Sequence, residues 1–230
     1  MKHEAPILMV VTDPSVPDLE DRIADAIAGG ATMVQYRDTR RPSAPPEWVR
    51  TFKHRYPEVL FLVNGDMLLA SEGTADGVHM PSSRVGLSDI RTLCGPEFIV
   101  GRSVHQKYVE PEIEYRPGVN YVIFGTVFAS SSHPGATATG VHALGRACRD
   151  TSAWGEAFSV ERGDKGGYRI SYATPPRPVP VLAIGGIDAT NAGDCIGAGA
   201  AGVAVIRSVL LAPDPAIAAT NLLEAMREAV

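Results

Sequence analysis

Polar side chains that can bind ligands or transfer protons follow short apolar runs at successive points along this chain. They belong to Gln35, Arg37, Asn64, His79, Ser103, His105, Thr126 and His133. Short apolar runs of this kind are typical of buried parallel strands, and in a closed barrel the chemistry gathers where such strands end. A purely structural barrel does not need so many hydrogen-bonding groups at one rim. The pattern therefore predicts a binding or catalytic site there.

Three of these residues are histidines, whose ordinary pKa lies close enough to neutral for acid and base catalysis. His79 ends an apolar run, and it is either a general acid or base or a buried histidine that donates to a backbone carbonyl. His105 comes two residues after Ser103, so it either shares the rim or lies on the surface. His133 lies in a Ser-rich loop that either closes over a ligand or forms an ordinary turn.

Gln35 and Arg37 alternate along one short strand, so their side chains are expected to point the same way. A guanidinium at this position can hold a phosphate or a carboxylate through two hydrogen bonds. The alternative is an ion pair with Asp13 or Asp38. We therefore expect Arg37 to bind a ligand anion or to neutralise a neighbouring acid.

Asn64 and Ser103 are neutral groups that suit the polar atoms of a small molecule. Ser103 can contact an anion or a heteroatom, although a loop cap is an equally simple interpretation. Asn64 precedes a glycine, so it is either a ligand contact or part of a turn.

A phosphate site is predicted near the end of the chain. The apolar run at 181–187 contains Gly185 and Gly186, where a backbone without a Cβ can approach a ligand closely. The next apolar run is followed by Arg207 and Ser208. In a (β/α)8 barrel the loops after the last two strands form the usual phosphate site. The alternative for the glycine pair is a tight turn that packs a helix on the sheet.

The elements that must position these residues alternate between strands and helices, which predicts a parallel sheet. Predicted strands cover 7–11, 32–36, 60–63, 77–79, 99–101 and 121–124, with two more inside 181–187 and 201–208, and helices cover 19–29 and 46–56. Eight strands in 230 residues predict an α/β fold, a (β/α)8 TIM barrel, as a single domain over residues 1–230.

One segment is too long for a simple connection between a strand and a helix. Between residues 155 and 178 the chain is rich in glycine, proline and charge. We expect an exposed insertion at about 155–178, with a hairpin around 164–167. It is a surface excursion, an oligomer contact or a lid over the site.

Composition and charge exclude several classes of function. The net charge of −5 does not fit a nucleic-acid-binding surface, and the 45% hydrophobic residues contain no run long enough to span a membrane. The three cysteines have neither metal-ligand spacing nor a disulfide framework. The first apolar run reads as a strand and not as a signal peptide. These features predict a cytoplasmic protein with a small-molecule partner, no nucleic acid and no membrane.

Together these segments resemble the thiamine phosphate synthase/TenI family. The similar segments are 11–13, 34–37, 62–64, 76–79, 101–105, 124–128, 183–187 and 202–205, so the resemblance covers most of the chain. It implies a (β/α)8 barrel that acts on phosphorylated thiazole and pyrimidine precursors of thiamine. Members of the family often assemble into homo-oligomers, so the resemblance implies a homo-oligomer as an alternative to a monomer.

The family has two branches, and departures from the synthase pattern favour the other one. Synthases join a pyrimidine diphosphate to a thiazole phosphate, and Mg²⁺ at the diphosphate is held by carboxylates. Their Asn-Asp after the third strand is Asn64-Gly65 here, and a Gly-Gln-Glu-Asp stretch does not follow His79. Asp66 restores one acid only through a one-residue shift. Two synthase lysines are also missing, and His133 occupies the region of one of them.

The TenI-like branch is implied instead, with an isomerase that tautomerises a phosphorylated carboxythiazole without metal or cofactor. The tautomerase has a catalytic histidine where this chain has Thr126, whose hydroxyl is a poor base. Either a histidine or Thr126 must then carry the proton. Among the histidines, His79 and His105 are better candidates than His133 because they follow strands. The alternatives are a diverged synthase, which is a transferase, and a non-catalytic protein that binds a phosphorylated heterocycle.

Overall fold

Eight parallel strands form a closed barrel, which confirms the predicted (β/α)8 fold. The computed structural model describes residues 6–38, 45–81, 95, 97–104, 119–130, 135, 137–150 and 179–230, and the backbone of 158–162 and 168–172. The described strands in chain order are β1 (Ile7–Val11), β2 (Met33–Tyr36), β3 (Leu60–Asn64), β4 (Gly77–Met80), β5 (Ile99–Val104), β6 (Tyr121–Gly125), β7 (Phe158–Arg162), β8 (Tyr168–Tyr172), β9 (Val181–Ile184) and β10 (Gly202–Val205).

The order of strands around the barrel is β1-β10-β9-β6-β5-β4-β3-β2, and β2 pairs with β1 to close it. The remaining two strands, β7 and β8, pair antiparallel in a separate sheet, with Arg162 opposite Tyr168. This hairpin lies within the segment where the sequence predicts an insertion. Its turn, residues 163–167, lies outside the described residues.

Helices connect most of the barrel strands and cover their outer side. They are α1 (Leu19–Ala28), α2 (Pro46–Arg55), α3 (Met67–Glu72), α4 (Gly140–Asp150), α5 (Ala192–Gly197), α6 (Arg207–Leu210) and α7 (Pro215–Glu228). The longest of these, α7, begins where the Asp214 carboxylate accepts a hydrogen bond from the Ile217 N–H, with Pro215 in the first turn. No helix in the described part of the chain is long and apolar enough to cross a membrane.

Alternation along the strands separates two apolar cores. The outer core joins strand residues such as Val10 and Val34 to helix residues such as Ile23 and Val49. The inner core consists of strand residues only, which are Met9, Val11, Met33, Leu62, Ile99, Tyr121, Ile123, Leu182 and Ala204. Because successive side chains of a strand point to opposite faces, this second set fills the barrel interior.

The strands extend further than the sequence predicts, and this changes where the polar residues lie. Strand β5 continues to Val104 and β4 to Met80, so Ser103 and His79 belong to their strands. Asn64 is likewise the last residue of β3. Asn64 and Ser103 were predicted to follow their strands, but ladder pairing with neighbouring strands holds them, like His79, in extended backbone. Their directions are therefore fixed by the sheet and not by loops.

A partly buried ion pair fastens helix α2 to the barrel. The Lys53 ammonium lies 2.7 Å from the Asp76 carboxylate, and the two side chains are only 14% and 19% exposed. The same carboxylate accepts a hydrogen bond from the Phe61 N–H of β3 at 2.6 Å. One acid thus joins the helix to β3 just before β4 begins.

We expect Lys53→Met to lower the free energy of unfolding by about 1–3 kcal/mol, because it leaves the Asp76 carboxylate without its cation in a poorly solvated place. Urea denaturation would measure the loss. The matched control is Glu47→Gln, which breaks the exposed Arg50–Glu47 pair and should cost less than about 1 kcal/mol. Equal losses in the two variants would contradict this role for the Lys53–Asp76 pair.

Candidate functional site

Polar residues gather at the end of the barrel where the parallel strands terminate, called the barrel mouth below. The described residues that form it are Thr12, Asp13, Gln35, Arg37, Asn64, Ser103, Gly185, Gly186, Arg207 and Ser208. Parallel strands all end on the same side, so residues distant in sequence meet there. Of the residues that the sequence singled out, His105 and His133 lie outside the described residues.

Gln35 and Asn64 form a hydrogen-bonded pair on neighbouring strands. The Gln35 Nε2 donates to the Asn64 Oδ1 at 3.1 Å. Gln35 is only 3% exposed, and its Oε1 is buried without a hydrogen-bond partner within the described residues. Because a buried acceptor without a donor is costly, this oxygen is suited to an N–H group of a ligand.

His79 is buried in the barrel between two hydroxyl groups. Its Nδ1 lies 3.0 Å from the Tyr121 hydroxyl and its Nε2 lies 2.8 Å from the Ser103 Oγ. His79 is 1% exposed and Tyr121 is 3% exposed, whereas Ser103 is half-buried. The three side chains therefore form a line from the barrel interior to the mouth.

Gly101 of β5 makes this line possible. It is in register with His79 on one side and with Tyr121 on the other. A Cβ at position 101 would lie only 2.0 Å from the Tyr121 Cζ and 2.3 Å from its hydroxyl oxygen. The phenol ring thus occupies the space that any other residue at 101 would fill, and it reaches His79 across the intervening strand.

Burial keeps both aromatic groups of this line uncharged. Desolvation lowers the pKa of His79 from 6.5 to about 3, and it raises the pKa of Tyr121 well above 10. With both ring nitrogens beside hydroxyl groups and a depressed pKa, His79 is poorly placed to exchange a proton with a ligand near neutral pH. The geometry agrees with the alternative of a buried histidine, with hydroxyl partners in place of a backbone carbonyl.

Tyr121 is the main residue that sequence reasoning missed. It begins β6 far from the polar residues that end the strands, so it reads as an ordinary apolar core position. The signal that could have revealed it is the glycine at position 101, a small residue inside a buried strand. Such a residue often marks close approach by another group.

Charged groups meet where β10, β1 and β2 lie side by side. Asp13 has a pKa below its usual value because the Ser15 N–H and hydroxyl donate to it, with smaller contributions from the charges of Arg37 and Arg207. The Thr12 hydroxyl accepts from the Arg37 N–H at 2.8 Å and donates to the Arg37 carbonyl at 3.0 Å. The backbone of Arg37 is thus fixed at the mouth.

The Gly185–Gly186 turn is shaped by the segment that follows β6, residues 126–129. Both glycines have positive φ, of 104° and 64°. A Cβ on Gly185 would lie 2.5 Å from the Thr126 Cγ2, and one on Gly186 would lie 2.3 Å from the Ala129 carbonyl oxygen. Close packing and backbone conformation therefore account for both glycines, which is the turn alternative; ligand contact is an additional hypothesis.

Two further contacts fix this turn. The Phe128 N–H donates to the Gly185 carbonyl at 3.0 Å. The Asn191 amide donates to the Gly186 carbonyl, also at 3.0 Å. Arg207, which is exposed, and Ser208, which is half-buried, follow the adjacent strand β10 in helix α6. The four residues that the sequence assigned to phosphate thus come from two neighbouring strands.

The comparisons with known proteins identify the family. Residues 8–209 match the family profile described as thiamine monophosphate synthase. This chain belongs to that family. It is 34% identical over 218 residues to a thiamine-phosphate synthase from Thioalkalivibrio sulfidiphilus, covering 91% of this chain and 90% of the relative.

Two other similar proteins extend this result. A thiamine-phosphate synthase from Nostoc punctiforme is 33% identical over 220 residues, and the match covers 94% of this chain. The chain spans about half the length of that relative, because the match covers 54% of it. The solved structure of thiamine phosphate pyrophosphorylase from Pyrococcus furiosus has a TM-score of 0.72 and 25% identity, covering 99% of this chain and 98% of that chain.

These relatives overturn the prediction that the chain is an isomerase. They are thiamine-phosphate synthases, which are transferases, so the assignment to a tautomerase is wrong. The prediction gave decisive weight to single departures from the synthase pattern, such as Gly65 in place of an acid, whereas the similarity extends over the whole barrel. The family itself is as the sequence indicated, and the TenI-like branch is not supported by these relatives.

The family implies Mg²⁺ beside a diphosphate, and the described residues hold no preformed cluster of metal ligands. They contain no group of three or more histidine, cysteine, aspartate or glutamate side chains that could hold a metal ion. Asp66, the acid next to the glycine at 65, instead caps helix α3, where its Oδ1 accepts from the Leu69 N–H at 2.9 Å. We therefore assign no step to a metal.

We expect Gly101→Ala to lower the free energy of unfolding by about 1–3 kcal/mol, because the new methyl overlaps the Tyr121 ring. Adding Tyr121→Ala should relieve the overlap. The double variant should therefore lose less free energy of unfolding than the sum of the two single losses. Gly197→Ala is the matched control, since a Cβ there meets nothing within 4 Å. Additive losses in the denaturant titrations would contradict the proposed overlap.

His79 should also make stability depend on pH. Its folded-state pKa of about 3 lies below the ordinary 6.5, so between these values only the unfolded chain takes up the proton. This contribution to stability is complete above about pH 6.5 and is lost as the pH falls. Between pH 7 and pH 5 the wild type should lose about 2 kcal/mol more than His79→Gln in urea denaturation. Parallel pH profiles would show that the imidazole is not excluded from protonation.

Proposed function

We propose that this protein is a transferase that joins a pyrimidine diphosphate to a thiazole phosphate. The observation that carries the proposal is the 34% identity to a synthase over about nine tenths of both chains. In this reaction class the thiazole nitrogen supplies an electron pair to the pyrimidine methylene carbon. The carbon–oxygen bond to the diphosphate breaks, and the diphosphate leaves with the bonding pair. Diphosphate release then accompanies each coupling event.

The arrangement of the barrel mouth supports a ring-binding side and an anion-binding side. The buried Gln35 Oε1 would accept a hydrogen bond from an N–H of a heterocycle, and Asn64 holds Gln35 in place through the amide pair. Arg37, fixed through Thr12, would contact the diphosphate through its guanidinium. Ser103, the end of the buried line at the mouth, would donate to the same anion.

The phosphate of the thiazole would bind at the Gly185–Gly186 turn, with Arg207 and Ser208 from the neighbouring strand. Backbone N–H groups beside residues without a Cβ can approach phosphate oxygens closely, and a guanidinium adds charge. Coupling needs no residue to carry a proton between ring atoms. Thr126 then forms part of the wall behind Gly185.

The second candidate is a protein that binds a phosphorylated heterocycle without turnover. The specific observation in its favour is that the described residues hold no preformed cluster of metal ligands, while the Oδ1 of Asp66 caps α3. Both candidates bind a ligand at the barrel mouth, so only product formation separates them.

The test is to incubate the purified protein with hydroxymethylpyrimidine diphosphate and thiazole phosphate, with Mg²⁺ or with EDTA, and to measure thiamine phosphate and released diphosphate. We expect equal amounts of the two products, and a fall of about 100-fold or more in kcat/KM for Arg37→Ala, because charged hydrogen bonds to the diphosphate are lost. Arg146→Ala is the control, since this arginine is exposed on helix α4.

The outcomes decide between the candidates. Binding of both substrates without any product would overturn the transferase and favour the binding protein. Product formed equally well by Arg37→Ala would remove Arg37 from the site while leaving the transferase in place.

A further inference from the structure

The line Tyr121–His79–Ser103 has one end inside the barrel and one end at the mouth. Within the described residues, His79 is the partner of both hydroxyl groups, at 3.0 Å and 2.8 Å. Because the imidazole is neutral, it carries one hydrogen, and each hydroxyl carries one more. The three side chains thus carry three hydrogens, but only two hydrogen bonds join them, so one hydrogen lies outside these bonds.

Only two arrangements place one hydrogen in each contact. In the first, the Tyr121 hydroxyl donates to Nδ1, and the Nε2–H of His79 donates to the Ser103 Oγ. In the second, the Nδ1–H of His79 donates to the Tyr121 oxygen, and the Ser103 hydroxyl donates to Nε2. The two arrangements give Ser103 opposite roles at the mouth, because its hydrogen points toward a ligand only in the first.

The buried phenol distinguishes the two arrangements. Burial holds the Tyr121 hydroxyl in its protonated form, so it must donate to some acceptor. In the second arrangement the Tyr121 hydrogen would have no acceptor, because His79 is the hydrogen-bond partner that the described residues give this hydroxyl and its Nδ1 would already carry a hydrogen. In the first arrangement the hydrogens of Tyr121 and His79 both have acceptors. The hydrogen without an acceptor in the line belongs to Ser103, which is half-buried at the mouth.

We propose that Tyr121 holds His79 as the Nε2–H tautomer, and that His79 in turn directs the hydroxyl hydrogen of Ser103 into the barrel mouth. Tyr121 and His79 are positioning residues that act through Ser103. Ser103 then presents a fixed hydrogen-bond donor at the mouth, which suits an oxyanion. The assignment of that oxyanion to the diphosphate rests on the proposed function.

The tautomer can be measured without substrate, by long-range proton–nitrogen correlation spectra of protein labelled with ¹⁵N in its histidine rings. The chain has six histidines, and the His79 signals are those that disappear in His79→Gln. We expect the Nε2 shift of a protonated nitrogen and the Nδ1 shift of a bare acceptor. In Tyr121→Phe the preference should be lost, giving a mixture of tautomers.

The control is Tyr36→Phe, which removes another buried hydroxyl. Tyr36 belongs to the outer core, and its hydroxyl donates to the Asp38 carboxylate at 3.2 Å. This variant should leave the His79 tautomer unchanged. A wild-type Nδ1–H tautomer overturns the inference directly, without any variant. An unaltered Nε2–H tautomer in folded Tyr121→Phe overturns the role of Tyr121.

Binding of inorganic pyrophosphate, measured by calorimetry, gives the second readout. Ser103→Ala should weaken binding about ten-fold or more, because a hydrogen bond to a charged oxygen is lost. Tyr121→Phe should weaken it by about three-fold, since only the orientation of the hydroxyl is lost, and Tyr36→Phe should have no effect. A weakening by Tyr121→Phe that disappears when Ser103 is already alanine supports action through Ser103. An equal effect in both backgrounds overturns it.

The two proposals fail separately. Absence of pyrophosphate binding by the wild type, together with the Nε2–H tautomer, would count against the transferase and support the tautomer assignment. Strong binding and turnover together with the Nδ1–H tautomer would keep the transferase and overturn the inference drawn here.

Discussion

Closure of a parallel sheet into a barrel brings every second side chain of each strand into one interior, and the volume of that interior limits what each position can hold. The contact between His79 and Tyr121 depends on this limit, because the two residues lie on strands separated by β5. They meet only where Gly101 contributes no side chain. The polar line to the mouth therefore exists because one position in the middle strand is left without a Cβ.

Among the described residues of the site, the polar groups inside the barrel are uncharged and the charged groups lie at the mouth. His79 and Tyr121 share hydrogen bonds in a region where either ion would be strongly disfavoured. At the rim, hydrogen bonds from Ser15 are the main cause that lowers the pKa of Asp13, with the charge of Arg37 contributing less. Arg37 therefore has only a minor part in stabilising Asp13, which is consistent with its guanidinium serving a ligand anion.

Much of the fold could be predicted from the sequence because short apolar runs mark buried parallel strands directly. Apolar runs do not reveal how far neighbouring strands are shifted along one another. The register that places Tyr121 and His79 opposite the same residue, Gly101, was therefore missed. The prediction of an isomerase was also wrong. Gly65 in place of an acid is a local departure from the synthase pattern, whereas the similarity to synthases is distributed over the entire barrel.

The described residues contain no cluster of acids for a metal, so the proposed binding of a diphosphate would depend on donors that are already oriented. Fixed dipoles stabilise developing charge well because they need no rearrangement when the charge appears. The barrel supplies such fixation at two places, through Thr12 for the Arg37 backbone and through His79 for the Ser103 hydroxyl. A serine without this support would rotate between donor and acceptor roles, and binding of the proposed diphosphate would then have to order its hydroxyl, which weakens the interaction.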